Sequence, residues 1–395
     1  MSLTLIPSVA ASLANLVYTA EDGTFHKREF IPFAKQWDFG DNAEGRVISA
    51  SSGAAILRKS SGFCVTARGK DMFAGHALVV IRGTSNSFDW ATDANVGFSR
   101  GASGHMVHMG FQQVFKELLD SGLRQYFMRG ERPAKVHCIG HSLGGALATL
   151  AAEWLVTHGR AGEAELYTFG SPRVGSLGYS RHAEEKIGLA NVHRVFHQQD
   201  PVTMVPLWPF FHLPRNSTLR LGGGGSAFID PKAHRMVKSY AELIKVRSAE
   251  RKEDSWSALE DNSWVPPTEK ALRKWLVSDT VMSFTVNTLN MLGEAISWVF
   301  GKIFAALGIS MQFVVSAGVT LLDQLAYVLH RGLKAGQELG GIVVQFISKI
   351  LRLLGRKVEV GMDVSVVFIG TVFKALQQRL TREVNNAFNS LRRED

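Results

Sequence analysis

The stretch CIGHSLGGALATL, residues 138–150, constrains this chain more than any other. Gly140, Ser142 and Gly144 form G-x-S-x-G, with the apolar, strand-like Val136, Cys138 and Ile139 before them. Ala146, Leu147, Ala148, Leu150 and Ala151 follow as a helical run. A serine in a sharp strand-to-helix turn needs neighbours without side chains, because strand and helix must approach closely while the hydroxyl stands exposed. An anion formed there gains from the amides of the helix N-terminus beneath it. The spacing therefore predicts a nucleophile at Ser142.

Around this turn, residues 48–250 alternate strand-like runs (AAILRK, FCVTAR, ALVVIRG, KVHCIG, ELYTFG, VHRVFH) with helical stretches. Such alternation argues an α/β fold with a mostly parallel central sheet. The run 251–270, RKEDSWSALEDNSWVPPTEK, is charged and aperiodic and holds Pro266 and Pro267. It reads as a linker between a domain at 1–250 and an all-helical apolar region at 271–395. A length of 395 residues agrees with two domains. The four glycines at 222–225 read as a loop, since no strand-to-helix frame surrounds them.

The net charge of +9 is spread along the chain, without the basic block that marks a nucleic-acid arm. An anionic surface is the better match, and no nucleic-acid partner is expected. Cys64 and Cys138 both lie in apolar runs and read as small buried hydrophobes. Residues 8–20 read as an amphipathic helix, and no Lys or Arg precedes the first apolar residues. The expectation is synthesis in the cytoplasm without a cleavable signal, followed by membrane association or export through a dedicated secretion apparatus.

A serine hydroxyl needs a base and an oriented acid, in α/β-hydrolases in the chain order Ser, Asp or Glu, His. Downstream of Ser142, His193 and His197 lie within a strand-like run, and His158 and His182 lie in or beside helices ahead of the best acid. His234 and His212 remain, the second among Trp208, Pro209, Phe210 and Phe211. Asp200 closes VHRVFHQQD at a strand end, where sites in open α/β sheets assemble. Its rival Asp230, followed by Pro231, reads as a local helix cap. An acyl-transfer site also needs donors to the developing oxyanion. The Leu143 N–H and Thr84, which follows the strand ending at Arg82 and Gly83, are the candidates.

Six pieces in order, VVIRGTSNSFDWATDANV, HMGFQQVF, CIGHSLGGALATLAA, LYTFGSPRVG, VFHQQDPVTMVP and AHRMVKSY, resemble the class 3 lipases, over roughly residues 8–245. The resemblance implies an α/β-hydrolase, with nucleophile Ser142, acid Asp200, base His234 and oxyanion donor Thr84. It implies a lid at about 85–107, with Phe88, Trp90 and Phe98 facing lipid. Secreted members of that family carry signal peptides and often disulfides, and the minimal lipase lacks a counterpart to residues from 271 on.

In that last region, residues 303–322 hold no charged side chain over a length that could span a bilayer. A membrane hairpin and a helical bundle both fit. Gly332, Gly336 and Gly340, four residues apart, permit close helix packing in either setting. Lys349, Arg352 and Arg356 share one helical face opposite Phe346, Ile350, Leu353 and Leu354, the pattern of an interfacial helix or of a bundle helix with a basic edge.

Together these observations predict a serine acyl hydrolase of lipid esters working without metal or organic cofactor. A phospholipase A is preferred, and a triacylglycerol lipase is the alternative. By analogy with chains of this composition, an antibacterial effector is a further expectation. Competing readings make the C-terminal helices a membrane-inserting element that carries the main activity, or a docking module for a carrier or inhibitor protein.

Overall fold

Every residue of the strand Lys135–His141 is buried, as a central parallel strand covered on both faces requires. The computed structural model describes residues 3–20, 26–40, 47–52, 59–83, 97–222, 229–261, 265–278, 285–309, 320–358 and 364–392. In chain order the strands are β1 (Trp37–Asp38), β2 (Val47–Ser52), β3 (Lys59–Gly69), β4 (His76–Ile81), β5 (Phe98–Arg100), β6 (Met106–His108), β7 (Lys135–His141), β8 (Glu163–Phe169), β9 (Val192–His197) and β10 (Arg220–Leu221). The helices are α1 (Pro7–Leu16), α2 (Met109–Leu118), α3 (Arg124–Met128), α4 (Leu143–Thr157), α5 (Leu177–Ile187), α6 (Glu242–Arg251), α7 (Glu269–Val277), α8 (Val286–Leu307), α9 (Leu321–Leu333), α10 (Gln337–Leu353) and α11 (Val366–Arg392).

One eight-stranded sheet runs β1-β3-β4-β7-β8-β9-β10, with β2 also paired to β3. From β4 to β10 the neighbours are parallel, and β1, β2 and β4 meet β3 antiparallel. Because side chains alternate across a strand, Val79, Cys138 and Leu166 face one layer with α2 and α4, while Val80, Ile139, Tyr167 and Val195 face the other with α1. The expected α/β-hydrolase sheet is thus present. Cys64 and Cys138 are buried and unbridged, and burial pushes both thiols up.

The expected linker at 251–270 is in its first half part of this layer. Trp256 stacks on His193 at 4.4 Å and its Nε1–H donates to the Leu5 carbonyl, while Leu259 is buried. Asp254 accepts from the Ser8 hydroxyl, and Asp261 accepts from Arg220. Two of the charged residues that suggested a linker, Asp254 and Asp261, therefore tie its first half to the hydrolase.

Helices α7 to α11 form a bundle that shares one apolar core with the hydrolase. Phe98, Val202, Val205, Trp208 and Phe210 pack with Leu292, Ile296, Val299, Phe300, Leu376 and Leu380. Trp208 stacks on Phe300 with ring centroids 4.0 Å apart. Each such side chain contributes roughly 1.5–3 kcal/mol when fully buried, which holds the helices against this face.

A continuous helix over 303–322 does not form, because α8 ends at Leu307 with Gly308 left-handed at φ 61°. Among the described residues no helix is long and apolar enough to cross a membrane. The interfacial reading of α10 fails too: Phe346, Ile350 and Leu353 lie in the shared core, and Lys349 is 1% exposed. Its ammonium donates to the Ser278 carbonyl and hydroxyl at 2.8 Å and lies over the Trp275 ring. Gly332 has a packing reason, since a Cβ there would lie 2.6 Å from the Ile303 side chain of α8.

Candidate active site

Ser142 joins β7 to α4 with φ 59° and ψ −131°, a left-handed conformation that a serine adopts only under constraint. The constraint is visible at the glycines. A Cβ on Gly140 would lie 2.1 Å from the Gly144 carbonyl oxygen, and one on Gly144 would lie 2.1 Å from that of Ile81. Strand, turn and helix therefore touch backbone to backbone, and the Ser142 N–H donates to the Phe169 carbonyl at 3.0 Å. Gly144→Ala is expected to destabilise the fold by about 2 kcal/mol or more, because the neighbouring carbonyl belongs to a central strand and cannot yield. Thermal denaturation checks this, and an unchanged melting temperature would contradict it.

Asp200 follows β9 and caps the turn Pro201–Met204, its Oδ1 accepting from the Val202 N–H at 2.8 Å. His234 lies in the turn Pro231–His234, which is capped by Asp230. The rival acid is thus the local cap that its Asp-Pro setting suggested. His234 Nδ1–H donates to Asp200 Oδ2 at 2.8 Å, and Nε2 lies 2.9 Å from Ser142 Oγ. Since Asp200 offers only acceptors when ionised, Nδ1 carries the proton, and the neutral ring has Nε2 left to accept from the serine. All three side chains are at most 1% exposed.

Burial alone would raise the Asp200 carboxyl. Attraction to the His234 ring once it is protonated, the hydrogen bond from its Nδ1–H, the Tyr240 hydroxyl donating at 2.7 Å and the Val202 amide outweigh it and hold the carboxyl below its usual range. The fallback base His212 is not in this constellation: its Nε2–H donates to the Thr203 carbonyl at 2.9 Å, inside the apolar wall.

For the oxyanion, Leu143 is the first residue of α4, which places its N–H in the helix's unpaired first turn. Gly83 abuts the nucleophile, a Cβ there meeting the Ser142 Cβ at 2.9 Å. Thr84, Phe88 and Trp90 lie outside the described residues. Phe98, expected to face lipid, is 4% exposed and packs on Phe210 at 4.6 Å. Its place in β5, paired with β6, turns it toward the core shared with the C-terminal helices.

Two further groups support the catalytic histidine and were not singled out from the sequence. His141 stacks on His234 at 4.7 Å, and its Nε2–H donates to the His234 carbonyl at 2.9 Å. With that nitrogen committed as donor, Nδ1 accepts from the Tyr18 hydroxyl at 2.7 Å. Burial pushes His141 down to about 3, so the ring is neutral and this tautomer is fixed. Considering only histidines downstream of Ser142 left it out, although it sits inside the G-x-S-x-G motif. Tyr240, the other support, also accepts from the His197 N–H at 3.0 Å. Among the described residues no cluster of His, Cys, Asp and Glu could hold a metal ion.

Comparison with known proteins places these residues in context. The family model described as Lipase (class 3) matches residues 78–210. A secreted mono- and diacylglycerol lipase of Fusarium solani is 32% identical over 37% of this chain and 44% of its own length. A chloroplastic phospholipase A(1) of Arabidopsis thaliana is 33% identical over 33% of each chain. The chain thus spans less than half the length of these relatives. The solved structure of a lipase from Rhizopus microsporus var. chinensis is 22% identical, with a TM-score of 0.36, over 53% of this chain and 74% of that one. The relatives overturn the expected localisation, a chain kept at the membrane or exported by a dedicated apparatus. The Fusarium protein and other matched relatives are named as secreted, and no described helix could cross a membrane.

Proposed function

Residues 78–210 belong to the class 3 lipase family, and from that premise we propose that the chain is a serine hydrolase of carboxylic ester bonds in lipids. The observation that carries this reading is the hydrogen-bonded series Ser142–His234–Asp200 at a strained strand-to-helix turn. His234 Nε2 takes the Ser142 proton as Oγ attacks the ester carbonyl carbon, and Asp200 holds the imidazolium so formed. Negative charge gathers on the former carbonyl oxygen, where the Leu143 N–H and Thr84 are the donors we assign. Collapse expels the alcohol, which takes the proton from His234. Water then attacks the acyl-serine with His234 as base, releasing the carboxylic acid and restoring the hydroxyl.

A phospholipase A is the finer assignment, supported by the net charge of +9, which favours an anionic interface, and by the Arabidopsis relative's name. An acylglycerol lipase is the second reading, favoured by the name of the Fusarium relative. Secretion, as named for that relative, is the route we assign.

Lipid mass spectrometry on mixed phospholipid and acylglycerol emulsions, with wild type and Ser142→Ala, tests both. Fatty acid with lysophospholipid from wild type alone is the expected result and gives the bond position. Fatty acid with glycerol or partial acylglycerols alone would replace the phospholipase assignment by the second reading. Equal products from the two proteins would overturn the assignment of Ser142.

A further inference from the structure

At the edge of the sheet where β4 and β7 begin, opposite the end that carries Ser142, the chain forms a solvent-open cavity of about 720 Å³. Its walls are the end of β3, the start of β4, α3 and the loop 129–133 that leads into β7. Three arginines line it, Arg68, Arg129 and Arg132. None has a part in the ester chemistry of Ser142.

Arg68 is held in place by the protein itself. Its Nη1–H donates to the Glu131 carbonyl at 3.2 Å, and Nη2 donates to the Arg129 and Tyr126 carbonyls at 3.4 and 3.5 Å. The guanidinium also lies over the Tyr126 ring, 4.8 Å from its centroid. Arg68 Nη2 stands 3.8 Å from where a Cβ on Gly130 would be, which brings it against the loop that carries Arg129 and Arg132. The bonds of Arg68 occupy three of its five N–H donors, and the Arg132 bond to the Ala161 carbonyl at 2.7 Å occupies one of that residue's five. Both keep donors to offer.

Among the described residues no carboxylate comes within ion-pair distance of these three guanidiniums. Glu131, exposed, is the one acidic side chain in the described lining, so two positive charges stay uncompensated there at neutral pH. Like charges on one cavity repel, and an anion between them removes that cost. A phosphate monoester carries about 1.5 to 2 negative charges at pH 7 and three acceptor oxygens, which the planar forks of arginine match. A carboxylate would leave part of that charge unpaired. The volume falls within the roughly 300–1,000 Å³ usual for small-molecule sites, which leaves room for what the phosphate is attached to. His76, whose pKa burial lowers, and Gln125 and Ser121 add neutral polar groups to the lining.

We propose that this cavity is a second ligand site, which binds a phosphate monoester group through Arg68, Arg129 and Arg132. A soluble phosphate ester and a phosphatidic acid head group present the same chemistry. The site is independent of the hydrolase reading, because it lies at the other edge of the sheet.

Calorimetric titration of the full chain with inorganic phosphate, at neutral pH and fixed ionic strength, tests it. Saturable binding is expected. Arg129→Ala removes an exposed side chain, and Arg68→Met keeps an apolar stem over Tyr126. Each should weaken binding by about tenfold, the worth of one charge-assisted hydrogen bond. Lys245→Ala removes the same charge from an exposed position on α6 and should change the affinity by less than about twofold. Flotation with phosphatidylcholine vesicles, with and without phosphatidic acid, separates the two sources. Capture by the phosphatidic acid vesicles that phosphate competes and Arg129→Ala weakens identifies a lipid head group; phosphate binding without capture identifies a soluble ester. Absence of saturable binding to both probes, or the same affinity in Arg129→Ala as in Lys245→Ala, would overturn the site.

Discussion

Ser142→Ala is expected to lower kcat for ester hydrolysis by about 10⁴-fold or more, because it removes the hydroxyl that lies 2.9 Å from His234 Nε2, the ring that Asp200 orients. The substitution keeps the backbone unchanged, since alanine and serine carry the same Cβ at φ 59°, and the buried side chain loses only its oxygen. The melting temperature should therefore stay within a few degrees of wild type, separating chemistry from folding. Asp200→Asn should approach the same loss of kcat, as the carboxylate fixes the His234 tautomer and stabilises the imidazolium. Combining the two should cost little more than the worse one alone, because the residues act as a unit. Stopped assays on a soluble short-chain ester measure this without an interface. A Ser142→Ala protein retaining more than about a tenth of wild-type kcat would remove the serine from the mechanism.

Much of this site was legible because its signals are local. Gly140, Ser142 and Gly144 announce a backbone contact that only glycine permits, and the contact distances show it. Asp200 and Asp230 both precede proline, and only their place in the fold separates the orienting acid from the cap. His212 illustrates the reverse: its apolar neighbours were plain, but what they pack against was not. Trp208 and Phe210 are the seat of the C-terminal helices, a tertiary fact that no periodicity encodes. For the same reason, the apolar run at 303–322 read equally as a membrane hairpin, since bundle and bilayer bury the same side chains. The first half of the stretch 251–270 packs on the hydrolase, which its composition does not reveal because charged residues mark both solvent-exposed loops and hydrogen-bonded ones, as Asp254 and Asp261 show. Lys349 looked like a basic edge because a lysine buried on Ser278 and Trp275 leaves no mark in its own helix.

The largest loss of stability is expected at the far end of the sheet. Lys135 opens β7 and Ser142 follows its end, so by strand rise the two stand about 20 Å apart. Lys135 Nζ meets Glu165 Oε2 at 2.9 Å with side chains 3% and 1% exposed, and the His193 Nε2–H donates to Glu165 Oε1 at 3.0 Å. Register brings them together, since Lys135 pairs with Glu163 and His137 with Glu165 across the β7–β8 ladder. Burial raises the Glu165 carboxyl, but hydrogen bonds from His193 and Lys135 outweigh it and bring the group down to about 2. Glu165→Leu leaves Lys135 buried with only the more distant, exposed Glu163 carboxylate at 3.7 Å. Breaking a buried pair from one side costs about 3–5 kcal/mol, which urea denaturation at neutral pH would read. Replacing both partners, as Lys135→Met with Glu165→Leu, should recover most of that loss, because neither change then strands a charge. The pH dependence has a fixed sign. A carboxyl depressed on folding contributes its full stabilisation above its unfolded value of 4.5, and loses it as pH falls toward about 2. The gap between wild type and Glu165→Leu should therefore narrow across that window and stay constant above it. A gap that widens on acidification would show that Glu165 is held in its neutral form, and the single variant's kcat, measured where it remains folded, should match wild type.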